Sequence, residues 1–491
     1  MTKNLHIDTQ AMRAKILDLA IQGKLTDQRA EDGNAQDLLK EIQAEKEKLI
    51  KEKKIKKEKP LPEITEAEKP FEIPKNWMWA RWGTLSISIK YGYNTSAQKD
   101  GKIKMVRISD IQNNQVSWDS VPFCNIPKEE ITQYLLRKND ILFARTGGTV
   151  GKSYLVSEVP ENVVYAGYLI RTRYSENLSP QYLKYFMESD LYWSQLKKGT
   201  TTTAQPNCNA KTLGKMVLPL PPLAEQKRIA DKVSALFAQL DAIDKAYEEY
   251  RELQQTMKTK LLDLAIQGKL TDQRAEDGNA RDLLKEIQAE KDKLIKEKKI
   301  KKEKPLPEIT EEEKPFDIPE NWMWVRLGEM ILNHIGGGTP DKSNEAYWNG
   351  DIPWMSVKDV HQDSMYADRT IDSITPAGLE NSSSNLIEAN RLIVVMRMAV
   401  GRAVINKLPV AINQDLRALF FRDNVTQEYI LRIFKILKFE TSGMTVKGIK
   451  LWVLLNTPIP LPPLAEQKRI VAKLDELLPL CNVPGVYSKE K

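Results

Sequence analysis

LDLAIQGKLTDQRAEDGNA at residues 17–35 returns unchanged at 262–280. The match continues through a lysine-rich run and PLPEIT (60–65 and 305–310) to IPKNWMWARWG at 73–83 and IPENWMWVRLG at 318–328. A second block, PLPPLAEQKRI, stands at 219–229 and again at 460–470, so a period of roughly 245 residues spans the chain. Between these blocks, at 84–216 and 329–457, the two halves look unlike each other. A constant frame therefore carries two divergent inserts, the layout of a protein that presents two different binding surfaces rather than one active site.

The frame reads as helices. From Ile229 the apolar row Val233, Leu236, Leu240, Ile243, Tyr247, Tyr250, Met257, Leu261 and Leu264 steps by four and three, with Gln254 its one polar member. Such a 3.5-residue repeat marks a helix buried along a narrow seam against another helix. Pro221 and Pro222 precede it and Gly268 follows it, which bounds a helix of about 40 residues, roughly 60 Å long. The second PLPPLAEQKRI block starts the same helix again with Leu474 and Leu477 on the seam. Met12, Ile16 and Leu19 supply its later part from the N-terminus. The expectation is two long antiparallel coiled-coil helices and a pseudo-twofold internal repeat. A second amphipathic helix carries Leu38, Leu39, Ile42 and Leu49, or Leu283, Leu284, Ile287 and Leu294 in the other copy. PLPEIT after it is a non-helical connector. The tryptophans Trp77, Trp79, Trp322 and Trp324 alternate as on a strand and, lying in the constant frame, are expected to anchor the inserts rather than to stack on bases.

The inserts mix strand and helix. DILFAR (140–145), VVYAGYLI (163–170), RLIVVMR (391–397) and LRALFF (416–421) read as buried strands, with helices over 180–196 and 427–438. They share a thin skeleton that pairs Gly92 with Gly337, Asp110 with Asp359, Arg145 with Arg397, and Gly151-Lys152 with Gly401-Arg402. The fold class is α+β, two mixed globular domains on a helical frame. The boundaries fall at 1–75 for the N-terminal helical region and connector, 76–220 for the first insert, 221–320 for the central constant region, 321–461 for the second insert and 462–491 for the C-terminal helix.

The chain has net charge +7, compatible with a polyanionic partner. Glutamates interspersed in the lysine runs favour a solvated helix face there over phosphate contact. Candidate contacts are instead the glycine-containing loops, because glycine lets the backbone approach a phosphate while cationic and amide or hydroxyl side chains neutralise it and read base edges. In the first insert these loops offer Asn94 and Thr95, then Arg145, Thr146 and Lys152 of ARTGGTVGKS. Lys197, Lys198, Thr201, Gln205 and Asn207 of KKGTTTTAQPNCN complete that set. In the second insert they offer Thr339 and Lys342 of GGGTPDKSN, Ser383 of NSSSN, Arg397 and Arg402 of MRMAVGR, and Lys447 and Lys450 of TSGMTVKGIK (441–450).

Catalytic signatures are missing. The three histidines, His6, His334 and His361, form no zinc or triad spacing, and the three cysteines form no CxxC pair. There is no GxxxxGK[ST] loop, no NPPY-like tetrapeptide, and GGGTP is not a dinucleotide turn. Pro307-Glu308 with Glu312 and Lys314 faintly resembles a nuclease motif, but the first copy has Ala67 in place of Glu312. No apolar run approaches ~18 residues and no signal core opens the chain, so a cytoplasmic protein is expected.

PLPPLAEQKRI, LLDLAIQGKL (261–270), EIQAEKEKLIKEKK (41–54), the IPxNWMWxR blocks and YWNGDIPWMSVKDV (347–360), in this order around two variable inserts, resemble the specificity subunit of type I restriction-modification enzymes. The first insert departs from the fuller second one, reading YGYNTSAQKDGKIKMVRISDI at 91–111. The resemblance implies that each insert is a target recognition domain for one half of a split double-stranded DNA target. The constant helices would set the spacer and dock two modification (methyltransferase) subunits, with restriction (translocase and endonuclease) subunits joining them. It implies no cofactor or metal in this chain, S-adenosylmethionine, ATP and Mg belonging to those partners, and no catalytic residue. A competing reading from the residues is a coiled-coil scaffold whose inserts bind proteins.

Overall fold

The computed structural model describes residues 7–199, 207–362, 364–437, 439, 441 and 447–481. They fall into two compact units that divide at Tyr247, within the long helix Leu223–Ile266. Each unit combines one insert with its own set of frame elements.

In the first unit the N-terminal helix Thr9–Ile21 packs antiparallel to the start of the long helix. Thr9 donates to Asp244 at 2.7 Å and Arg13 donates to Asp241 at 2.8 Å, while the Arg13 guanidinium lies 5.2 Å from the centre of the Phe237 ring. Leu17, Ala20 and Ile21 enter the core with Ile229, Ala230 and Val233. In the second unit Leu262 and Ala265 share a core with Ile470, Val471 and Leu474 of the helix Leu464–Leu477. This corrects the expected apolar row. Leu240 is buried, and Ile16 and Leu261 are half-buried against these cores, but Met12 and Met257 are 46% and 48% exposed. Leu19, Leu236, Ile243 and Leu477 are half-buried. The helix ends also pack on the inserts, so the buried stripe shifts by one position at Leu17 and Leu262.

Each helix bearing AIQGK stops in the same way. Gly268 adopts φ +68° and Lys269 N donates to Leu264 O at 2.9 Å, the 6→1 bond of a Schellman end. Gly23, at φ +69°, repeats it, and a Cβ there would lie 2.5 Å from Pro74 Cγ. Helices Ala35–Lys51 and Ala280–Lys296 follow, capped by the Asn34 and Asn279 side chains, with Leu38 and Ile42, or Leu283 and Ile287, buried.

The WMWxR segments are strands. Met78–Arg81 pairs antiparallel with Val217–Leu220, and Met323–Arg326 with Pro458–Leu461, each joining the start of an insert to its end. Trp77 is buried and its indole N–H donates to Glu225 Oε2 at 2.8 Å; Trp322 donates to Glu466 Oε2 at 2.7 Å. Both carboxylates are fully buried in the first turn of their helices. Glu225 also accepts from Thr26 and Gln28, and Glu466 from Thr271 and Gln273. Arg81 grips the connector, with bonds to Pro62 O, Glu63 O and both oxygens of Glu68. Arg326 does the same with Pro307, Glu308 and Glu313. Of the residues that resembled a nuclease motif, Pro307 and Glu308 serve this clamp through their carbonyls, while Lys314 pairs with Glu311 at 2.5 Å.

Both inserts share one sheet order. Strands Ser86–Tyr91, Leu169–Tyr174, Ile141–Ala144 and Ser153–Leu155 run antiparallel in that order in the first. Asn333–Gly336, Leu416–Phe420, Leu392–Val395 and Ala403–Asn406 repeat it in the second, where Tyr366–Ala367 adds a parallel edge. A smaller sheet pairs Ile103–Val106 with Val163–Tyr165, matched by Trp348–Met355 with Val410–Ile412. The run VVYAGYLI is thus two strands in two sheets, with a turn at 166–168 between them. The helical stretch from 180 is also divided, into Pro180–Phe186 and Asp190–Gly199, because Ser189 Oγ accepts from Tyr192 N and starts a new helix. Its counterpart in the second insert begins earlier than expected, at Asn424 behind the Asp423 cap, and ends at Phe434.

Two predictions follow from the frame. Glu225→Ala leaves a buried indole N–H without an acceptor and should cost about 1–3 kcal/mol of stability, measured by denaturant titration; an unchanged midpoint would show that the buried carboxylate contributes nothing. Hydrogen bonds from Arg81 and Arg326 hold the Glu68 and Glu313 carboxyls at about 2, against an ordinary 4.5. As pH falls below 4.5 the unfolded chain takes up protons that these native carboxylates refuse, so their stabilisation, complete above 4.5, is lost toward pH 2. Both glutamates are about a third exposed, so solvent screening moderates the effect. Thermal melts across that range should fall more steeply for the wild type than for a Glu68→Gln/Glu313→Gln variant.

Candidate nucleic-acid interface

At one end of the larger sheet of the first unit, three turns and the segment before the helix Ala210–Lys215 converge. The turn after Ser86–Tyr91 is drawn against residues 165–169: Gly92 N donates to Leu169 O at 3.0 Å, Tyr93 N to Tyr165 O at 2.8 Å and Gly167 N to Tyr93 O at 2.8 Å. A Cβ at Gly92 would stand 2.2 Å from Ala166 O, so only glycine permits this approach. The loop after Ile141–Ala144 joins them through Arg145 N, which donates to Tyr168 O at 3.1 Å. Cys208 N closes the set by donating to Arg145 O at 2.9 Å, and Thr146 bridges Asn207. Asn94, Thr95, Lys152, Asn207 and Tyr168 all stand exposed around this junction.

The second unit builds the same junction. Gly338 N donates to Ile412 O at 3.0 Å, Met396 N to Asp415 O at 2.7 Å and Ile449 N to Met396 O at 2.9 Å, and Arg397 bridges Gly448. Thr339 Oγ1 hydrogen-bonds Gln414 Oε1, and exposed Ser383 lies beside Gly338. A cleft of about 420 Å³ opens between Thr339, Lys342, Lys358, Met398, Gln414 and Asp415.

These registers correct one sequence pairing. Ala144 faces Leu169 in the first sheet and Val395 faces Leu416 in the second, so the residues that follow, Arg145 and Met396, are equivalent, and Thr146 matches Arg397. The first loop is one residue longer, which is why pairing by residue type aligned the two arginines. The end of the loop returns to register: Ala144 N bonds Lys152 O, and Val395 N bonds Arg402 O, at 2.9 and 2.8 Å. Gly151 and Gly401 have φ +93° and +85°, and a Cβ at Gly151 would strike Leu196 at 2.1 Å. Asp110 and Asp359 also correspond, each accepting from the backbone N–H three residues before it at 2.8 Å.

The remaining candidates scatter. Lys197 and Lys198 are exposed on the helix Asp190–Gly199, and Lys198 lines a depression with Glu68, Pro70 and Lys215, apart from the one that Lys152 lines. Arg402 reaches back toward Val360 O at 3.5 Å. Lys447 is exposed, and its carbonyl accepts from Met398 N. Lys450, also exposed, precedes the helix Leu451–Leu455. Thr201 and Gln205 lie outside the described residues. Tyr91, Tyr168, Gln414 and Met398 escaped the sequence reading. So did the hairpin tip Asn113-Asn114, both at positive φ, which faces Lys152 and Thr149 across a cleft of about 490 Å³. The adjacent asparagines are a turn signal; Tyr168 carries none, since it lies in a run that reads as strand.

A profile of the family described as Type I restriction modification DNA specificity domain matches residues 89–250 and 319–482. This chain belongs to that family. Each match in this specificity chain contains one of the two loop junctions and the buried glutamate that follows it. Among curated relatives, the EcoEI specificity subunit of Escherichia coli is 27% identical over 96% of this chain and 89% of its own length. The EcoAI specificity subunit of the same organism is 28% identical over the same shares. A chain solved in work on complex assembly and conformational transition of the type I R-M system superposes with TM-score 0.58 at 23% identity, covering 84% of this chain and 92% of that one, which supports the fold. Among the described residues no helix is long and apolar enough to cross a membrane, and no three His, Cys, Asp or Glu side chains converge.

Proposed function

We propose that this chain is the DNA sequence-recognition subunit of a type I restriction-modification complex, each unit reading one half of a bipartite double-stranded target. The observation that carries this reading is the duplicated family domain, in which the same hydrogen-bond register presents different side chains at equivalent strand ends. Constant backbone with variable polar tips is what direct readout of two unlike half-sites requires. The frame helices set the separation of the two half-sites and dock two modification subunits, with restriction subunits completing the assembly in the cytoplasm. The chain itself catalyses nothing; S-adenosylmethionine, ATP and Mg act in the partner subunits.

Replacing residues 84–216 by the insert of another family member should change one half of the methylated target and leave the other intact. Mapping methylated adenines in a host that expresses the complex reads both halves at once, and a simultaneous change in both would refute modular reading. Binding should weaken steeply with salt. Lys152→Ala, or Arg402→Ala in the second unit, should lower the slope of log K against log salt by about one without altering sequence preference. A complex that ignores DNA at low salt would favour the protein-binding scaffold.

A further inference from the structure

In the first unit the Arg145 guanidinium lies over the Tyr91 ring, 4.6 Å from its centre. The ring is itself fixed, since Tyr91 Oη accepts from Ala210 N at 3.0 Å. The arginine backbone is pinned on both sides, by Tyr168 O and by Cys208 N. Its Nε is buried without a hydrogen-bond partner, and no ion pair to Arg145 exists among the described residues. A planar guanidinium stacked on an aromatic face, held rigid and left uncompensated beside the exposed Asn94, Tyr168 and Asn207 loops, has the geometry that meets two acceptors in one plane. In the DNA grooves that pair of acceptors is guanine O6 and N7.

The equivalent place in the second unit is built otherwise. Met396 stands where Arg145 does and is buried, and the next residue, Arg397, gives its Nε to Asp415 at 2.5 Å. Gln414, in the same turn, bonds Thr339.

We infer that Arg145, positioned by Tyr91, is a guanine-reading side chain of the first unit, and that the second unit reads no guanine from this position. The inference rests on the chain being a DNA specificity subunit. The test uses the full complex with its modification subunits, acting on libraries in which each half of the target is randomised, with wild type, Arg145→Lys and Tyr91→Leu. The half-site assigned to the first insert should contain a G·C pair at which both variants lose about ten- to a hundredfold discrimination. Preference in the other half should be retained, which also reports an intact complex. Arg145→Lys keeps the charge and should leave the salt slope unchanged. A first half-site without a G·C pair overturns the inference, as does full discrimination by Arg145→Lys or a uniform loss across all sequences. A wild-type complex with no sequence preference in either half would instead overturn the specificity reading together with this one.

Discussion

The buried carboxylate at the first turn of each frame helix is the constraint on which the rest of the structure depends. Glu225 and Glu466 are wholly removed from solvent, and each is surrounded by three donors: an indole N–H from the strand that opens an insert, and a threonine and a glutamine from the turn after AIQGK. A lone buried carboxylate would be severely destabilising, so the donors must all be present together. The donors and the glutamate come from three parts of the chain that the repeat supplies as a set. One glutamate thereby joins the strand entering the insert, the helix leaving it and the preceding helix end. The neighbouring pair, Arg228 with Asp32 and Arg469 with Asp277, closes the same corner at 2.6 and 2.5 Å and draws both aspartate carboxyls below their usual range.

Because this corner fixes both ends of an insert, the residues between them are free to diverge as long as the sheet registers survive. Gly92 and Gly337 show where that freedom stops: each brings its backbone against carbonyls that a Cβ would strike at 2.2 and 1.9 Å. Side chains just beyond these close approaches differ between the units while the backbone hydrogen bonds repeat. The arrangement separates the part of the molecule that must be constant from the part that can acquire a new preference by substitution.

The sequence made this division readable and blurred its details, for identifiable reasons. Duplicated blocks exposed the frame, and β-branched runs such as RLIVVMR exposed the sheet strands. The stripe of the frame helices was read one position off at Leu17 and Leu262, because a heptad count assumes a single partner, whereas these helix ends also pack on an insert. The pairing of Arg145 with Arg397 followed residue type, and a one-residue difference in loop length defeats that; register became visible only through Leu169 and Leu416. Trp77 and Glu225 lie 148 residues apart, and nothing local marks that glutamate, followed by Gln226 and Lys227, as buried. Tyr168 was hidden in an apolar run that the fold splits between two sheets.

The net charge of +7 is a poor guide to how such a protein meets DNA. Frame arginines that contribute to it are already matched: Arg81 and Arg326 by glutamates of the connector, Arg228 and Arg469 by buried aspartates, Arg13 by Asp241 and Asp244. Their fields are largely cancelled within one ion-pair length, and their role is to fix geometry. Charge free to act on a phosphate or a base edge must come from the loops, and there the two units diverge. The first holds an arginine on a tyrosine face with no carboxylate partner among the described residues; at the matching strand end the second pairs Arg397 with Asp415 and sets Gln414 and Thr339 beside it. A shared backbone can therefore present a free guanidinium in one unit and an amide and hydroxyl pair in the other, and the two halves of the molecule need not resemble each other chemically to be the same machine.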